Sequence, residues 1–143
     1  MLVLDTDLLS IIQQQEGDAF ERLSAKLEVA CAIESVCVTI VSFEEQMRGW
    51  LTFIASARTV ELQLRAYSRL HEMLRDYCAR EVLGFDNSAA LQFNRLRKSK
   101  IRIGTMDLRI ASIAISQRAK LLSRNLSDFS KVPGLDVVDW TQH

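Results

Sequence analysis

Met1-Leu2-Val3-Leu4-Asp5-Thr6-Asp7-Leu8-Leu9-Ser10-Ile11-Ile12 is the stretch whose reading decides the fold. Leu2–Asp5 is a short apolar run ending in an acid, which by its length reads as a buried strand. Leu8, Leu9, Ile11 and Ile12 then recur at helical spacing, with Asp7 placed to cap the helix they form. The same alternation continues outward. A helix is expected over Asp18–Val29, with Phe20, Leu23 and Leu27 on one face, and the β-branched run Ser35–Ile40 reads as a second strand. Ser42 and Glu45 form a capping box ahead of Phe43, Met47, Trp50, Leu51 and Ile54. A long helix over Thr59–Arg80, a short strand over Glu81–Phe85 and a helix from Asp86 or Asn87 to Lys98 follow. Gly104-Thr105 opens the helix carrying Ile110, Ala111 and Ile113, and Ala119–Ser123 and Asp136–Trp140 are the last strand candidates. Strands alternating with helices predict an α/β fold with a mostly parallel sheet.

The chain has 143 residues, 48% of them hydrophobic and 25% charged, which suits one globular domain spanning 1–143. A single proline and five glycines exclude collagen-like and low-complexity chains and a turn-rich β-sandwich. No apolar run reaches the roughly 18 residues that span a bilayer, and Asp5 and Asp7 interrupt any leader-like core. Cys31, Cys37 and Cys78 match no zinc or redox spacing and read as free thiols, so a cytoplasmic setting is expected.

Net charge is zero, but it is unevenly spread. Residues 95–124 carry nine Lys or Arg against one acid, Asp107, and the remainder carries the opposite excess. A basic segment of that kind can meet a polyanion. Among the acids, Asp5 ends the first strand, and ligands of parallel sheets bind at the carboxyl ends of strands. Asp107 lies in the first turn of an otherwise apolar helix, and Asp128 follows a strand. Glu44 and Glu45 are neighbours about 100° apart on their helix. Glu45 stands one turn before Gly49 on the same face, and spacing alone does not choose between the two. These positions can all open at one sheet edge. Carboxylates gathered there repel unless a hard cation, Mg²⁺ or Mn²⁺, neutralises them. Two such ions can activate water for phosphodiester hydrolysis. His71 and His143 have no partners for a nucleophilic triad or a zinc site, there is no phosphate-binding glycine loop, and the scattered aromatics read as core.

Leu4-Asp5-Thr6-Asp7 resembles the opening of PIN-domain nucleases, whose first strand ends in Asp-Thr-Asn. Thr39–Gly49 is similar to their second motif, a glutamate four residues before a glycine, and that spacing points to Glu45. Ile103–Ala111 resembles the third motif, in which an Asp opens a helix with Ile-Ala, and Ser123–Phe129 resembles the fourth. The ending Pro133–Trp140 is similar to the family's closing strand, so the resemblance covers essentially the whole chain. The subgroup it most resembles is the VapC-type toxins of bacterial toxin–antitoxin pairs. Asp7 departs from the pattern, since many members carry Asn there.

The resemblance implies a three-layer α/β/α sandwich around a mostly parallel sheet of about five strands. It implies Mg²⁺- or Mn²⁺-dependent cleavage of RNA, a homodimer, and inhibition by a small cognate antitoxin. Asp5, Glu45, Asp107 and Asp128 would be the catalytic, metal-binding set, with Thr6, Asp7, Ser123 and Asn125 in support. Arg95, Arg97, Lys98, Lys100 and Arg102 would hold the RNA backbone, with Arg109 and Arg124 beside the acids. An antitoxin tail would set a basic side chain among the acids and lie in a groove formed by Ile11, Ile12, Trp50 and Phe53. Two other roles fit the same family, an RNA-processing nuclease without an antitoxin and a catalytically idle binding module.

Overall fold

A computed structural model describes residues 1–143. Five strands, β1 (Leu2–Leu4), β2 (Val36–Thr39), β3 (Glu81–Leu83), β4 (Lys120–Leu122) and β5 (Asp136–Val138), form one sheet in the order β3-β2-β1-β4-β5. Every neighbouring pair is parallel. The first strand made is therefore the central one. Each crossover carries a helix, because parallel strands need a long return connection. The helices are α1 (Thr6–Gln14), α2 (Asp18–Cys31), α3 (Ile40–Ser56), α4 (Val60–Cys78), α5 (Asn87–Lys98), α6 (Thr105–Ser116) and α7 (Leu126–Phe129).

Side-chain alternation in the strands builds a core on each face. Leu2 and Leu4 point to one side, where they pack with Leu8, Leu9, Leu23, Val38, Met73 and Leu122 beneath α1, α2 and α4. Val3 points to the other, among Cys37, Leu96, Ile110, Ile113, Leu121 and Phe129 beneath α5, α6 and α7. Helix α3 serves both layers, giving Val41 to the second core and Phe43, Met47 and Trp50 to the first. The molecule is thus a three-layer α/β/α sandwich. No helix is long and apolar enough to cross a membrane.

Two caps differ from the sequence reading. Asp5, not Asp7, is the N-cap of α1: its backbone is extended and its carboxylate accepts from the Thr6 N–H. Asp7 lies within the first turn, with its own carboxylate accepting from the Leu8 N–H. Helix α3 starts directly off β2 with Thr39 as its N-cap, and the Thr39 hydroxyl accepts from the Ser42 N–H. Ser42 is therefore inside the helix, no Ser42–Glu45 capping box forms, and the Glu45 side chain is free for another partner. The structure also adds α7, a single turn after β4 that carries Asp128. It is anchored by Phe129, which is wholly buried. Phe129→Ala is expected to cost about 3–5 kcal/mol and to loosen the turn that carries Asp128. Denaturant melts measure the first effect. The second should appear as faster amide exchange in the Leu126–Phe129 turn under conditions where the variant is still folded.

Candidate active site

The carboxyl edge of the sheet gathers the acids. Continuing the alternation of β1 carries Asp5 to the α6 side of the sheet, and its N–H donates to the Leu122 carbonyl at 2.9 Å. Asp5 is only 5% exposed. One carboxylate oxygen accepts from the Thr6 N–H at 2.8 Å, and the other from the Ser123 hydroxyl at 2.7 Å. The Ser123 oxygen in turn accepts from the Asn125 N–H at 3.0 Å. The Asn125 amide then reaches two more acids, lying 3.1 Å from Asp128 Oδ2 and 3.5 Å from Asp107 Oδ2. On the other side of Asp5, the Thr6 hydroxyl donates to Glu45 Oε1 at 2.9 Å and lies 2.8 Å from the Ser42 hydroxyl. Thr6 and Asn125 therefore tie Asp5, Glu45, Asp107 and Asp128 into one network drawn from four separate segments.

This geometry separates the adjacent glutamates. Glu45 faces Thr6 and the other acids, whereas Glu44 pairs with Arg48 on the exposed surface of α3. Gly49, one turn after Glu45, lines an open cleft in which an added Cβ would meet nothing within 4 Å. That cleft, about 790 Å³ between α1, α3 and α4, is lined by Ile12, Gly49, Trp50 and Phe53 together with charged Arg69 and Asp76. Ile11 instead packs against the core beneath α1. Gln13 and Gln46 cross the cleft floor, bonded to each other, to Ser10 and to Asp76.

The electrostatics follow from burial and crowding. The Asp5 carboxyl is pushed up from its ordinary 3.8 to about 7, chiefly because burial strips its hydration, with the charges of Asp7 and Asp107 adding to the rise. Glu45 is raised by burial and then by Asp107, Glu44 and Asp7. Asp107 is raised by burial and then by Asp128 and Asp7. Asp128, at the rim, is held below its usual range by the Asn125 amide and by Lys131, whose ammonium lies 3.4 Å away. Three carboxylates thus resist ionising together.

No three of these carboxylates are drawn in to the spacing that would grip one ion. The donor set nonetheless fits a hard divalent cation, since it is all oxygen, carries excess negative charge and lacks a buried basic counterpart.

Basic residues are divided between regions. Arg124 approaches the site and lies 3.4 Å from Asp7, where it offsets the charge that Asp7 brings. Arg109 does not pair with an acid; it lies over the Phe93 ring at 5.8 Å, beside Arg97 at 5.5 Å. Arg95 is at the opposite, amino edge of the sheet, sharing a cavity with Arg118, Gly134 and Asp136. Lys98, Lys100 and Arg102 are exposed in and after the last turn of α5. Ser42 and Lys131 are site neighbours that sequence reasoning missed. The Lys131 contact was open to discovery from its spacing three residues after Asp128. Nothing in the sequence marked Ser42 as a partner of Thr6, which lies 36 positions away.

A central acid-tipped strand in an all-parallel five-stranded sheet, with carboxylates from α3, α6 and α7 beside it, is the fold of PIN domains. In sequence the chain is similar to VapC proteins. It is 28% identical over 109 residues to the tRNA(fMet)-specific endonuclease VapC of Salmonella typhimurium, covering 73% of this chain and 75% of that protein. A shorter stretch of 45 residues, 32% of this chain and 34% of the relative, is 44% identical to Ribonuclease VapC1 of Rickettsia felis. Among solved structures, a chain of the DNA-bound VapBC2 complex of Rickettsia felis shares the fold with a TM-score of 0.74, at 21% identity over 97% of this chain and 98% of that one. A chain of FitAcB from Neisseria gonorrhoeae gives 0.72 at 19% identity, over the full length of both. No sequence-family profile matches the chain.

Proposed function

We propose that the protein is a Mg²⁺- or Mn²⁺-dependent endoribonuclease and the toxin of a toxin–antitoxin pair, acting in the cytoplasm. The observation that carries this reading is the convergence of Asp5, Glu45, Asp107 and Asp128, from four segments of the chain, at the carboxyl edge of the sheet. The names of the VapC relatives support the nuclease class. The VapBC complexes among the structural neighbours support an antitoxin partner. Asp5, Glu45, Asp107 and Asp128 would hold the cation, which supplies activated water and charge neutralisation at a phosphodiester. The chain's own residues do the orienting. Ser123 and the Thr6 N–H fix both oxygens of Asp5, the Thr6 hydroxyl sets Glu45, and the Asn125 amide sets Asp107 and Asp128. Arg124 stands at the rim, where a phosphate backbone would arrive. The antitoxin segment would lie in the cleft between α1, α3 and α4, against Ile12, Trp50 and Phe53, and set a guanidinium among the acids.

The test compares two neighbouring residues. With RNA and Mn²⁺, Glu45→Gln is expected to lower cleavage by about 100-fold or more, and Glu44→Gln by less than about threefold, since Glu44 meets only Arg48 on the surface. Equal losses would disprove the site. Co-expression with the product of an adjacent short reading frame should give a complex that no longer cleaves.

A further inference from the structure

Thr39, Ser42 and Glu45 stand three residues apart, so their side chains follow one another along one face at the start of α3. Thr39 and Ser42 are wholly buried, and Thr6, at the start of α1, stands against them. The Ser42 N–H donates to the Thr39 hydroxyl oxygen at 3.1 Å, and the Thr39 hydroxyl donates in turn to the Ser42 hydroxyl oxygen at 3.4 Å. The Ser42 oxygen lies 2.8 Å from the Thr6 hydroxyl oxygen, which lies 2.9 Å from Glu45 Oε1. None of the three hydroxyls has a further partner.

A count of protons sets the direction of this series, because a hydroxyl has only one to donate. The Glu45 carboxylate can only accept, so the Thr6 proton goes to it, and the short contact between Ser42 and Thr6 then takes the Ser42 proton. Ser42 in turn accepts from Thr39, whose oxygen accepts from the Ser42 N–H at the positive end of α3. Every donor therefore points the same way, from the α3 N-terminus to Glu45, and hydrogen bonds aligned head to tail strengthen one another. We infer that Thr39 and Ser42 are positioning residues for Glu45: acting through Thr6, they hold its hydroxyl as a donor to Oε1 and so leave Oε2 for a cation. Oε2 has no hydrogen-bond partner in the chain, whereas both oxygens of Asp5 are taken. The direction of the hydroxyls stands on geometry alone, and the part given to Oε2 rests on the cation reading above. The three-residue repeat that makes Ser42 resemble a cap in the sequence is, in the fold, what lines these groups up.

Neutron diffraction from metal-free crystals at pH 8 is expected to place the Thr6 deuteron on the line to Glu45 Oε1 and the Ser42 deuteron on the line to Thr6. A Thr6 deuteron aimed at Ser42, or a Ser42 deuteron aimed at Thr39, overturns the proposal whatever the protein does with metal. Mn²⁺ affinity, read from the electron paramagnetic resonance of the free ion, tests the consequence. Thr6→Val is expected to weaken binding about tenfold or more, and Ser42→Ala about three- to fivefold. In the Thr6→Val background Ser42→Ala should add nothing, because the series is already cut. If Ser42 served only to hold α3 in place, its loss would cost the same in both backgrounds, and that result overturns the proposal. Thr39→Val should repeat the pattern, while Thr39→Ser, which keeps the hydroxyl and the cap, should bind as the wild type does. Glu45→Gln tells the two failures apart. A wild-type chain that binds no Mn²⁺, or binding that Glu45→Gln leaves unchanged, defeats the cation reading and with it the part given to Oε2, whereas the neutron result judges the hydroxyl series by itself. Circular dichroism of each variant checks that the chain is folded.

Discussion

Asp5→Asn and Asp107→Asn are each expected to lower divalent-dependent RNA cleavage at least about 100-fold, while Asp5→Asn makes the metal-free protein more stable. The two effects have one cause. Asp5 is buried at 5% exposure with Asp7 and Asp107 nearby, so its charge is costly in the absence of a cation. Asparagine keeps an oxygen for the Thr6 N–H that caps α1, and its amide can still bond to the Ser123 oxygen. It removes the charge and leaves the cap. A gain of about 1–2 kcal/mol, or roughly 3–8 °C in melting temperature near neutral pH, is the expected scale. An Asp107→Asn protein that cleaves at the wild-type rate, with Mg²⁺ or Mn²⁺, would remove the site from consideration. An Asp5→Asn protein that is inactive and also less stable would show that Asp5 serves structure first.

The second large effect is on stability as a function of pH and cation. The folded chain holds the Asp5 proton up to about pH 7, whereas an ordinary carboxyl loses it near 3.8. Glu45 and Asp107 are shifted in the same direction. The native state therefore binds more protons than the unfolded state across that interval. Stability from these groups is complete below about pH 4 and declines as pH rises through about 7. In chelator, the protein should melt higher at pH 5.5 than at pH 8, and the difference should shrink in Asp5→Asn. Millimolar Mn²⁺ should raise the melting temperature by binding the native state, and more at pH 8 than at pH 5.5, because protons compete for the same oxygens. A melting curve that Mn²⁺ leaves unchanged at both pH values would speak against a cation among these acids.

The parts of the structure that were legible in the sequence are those set by local pattern. Leu2–Leu4 and Val36–Thr39 announce themselves as buried strands, and an acid at the carboxyl end of the first was already the best marker of the site. The caps were harder because the local code is degenerate. Asp5 and Asp7 both precede an apolar helical run, and Thr39 stands three residues before Ser42 just as Ser42 stands three before Glu45. Which member of each pair caps depends on where the strand ends, and that is set by pairing with β4 and β3, far away in sequence. Helical spacing left Glu44 and Glu45 open and only the family motif pointed to Glu45, because its partner Thr6 lies 39 positions away. The basic run 95–102 is continuous as sequence but not as a surface. Helix α5 leaves the carboxyl edge after β3, so its later residues descend toward the amino edge, where Arg95 meets Gly134 and Asp136.

The place of β1 in the sheet has a consequence for the order of synthesis. The earliest strand of this sheet is flanked by one made soon after it, β2, and one made much later, β4. The Ser123 hydroxyl that holds Asp5 comes from a residue 118 positions further on. A nascent chain that stops short of Lys120 has β1 as an open sheet edge and contains neither Asn125 nor Asp128. Pairings of such long range also form slowly, because a large loop must close before they are rewarded. An acid cluster built this way is completed only once residues 123–128 have been made and folded back on Asp5, so a nascent chain shorter than that carries its early acids without the groups that orient them.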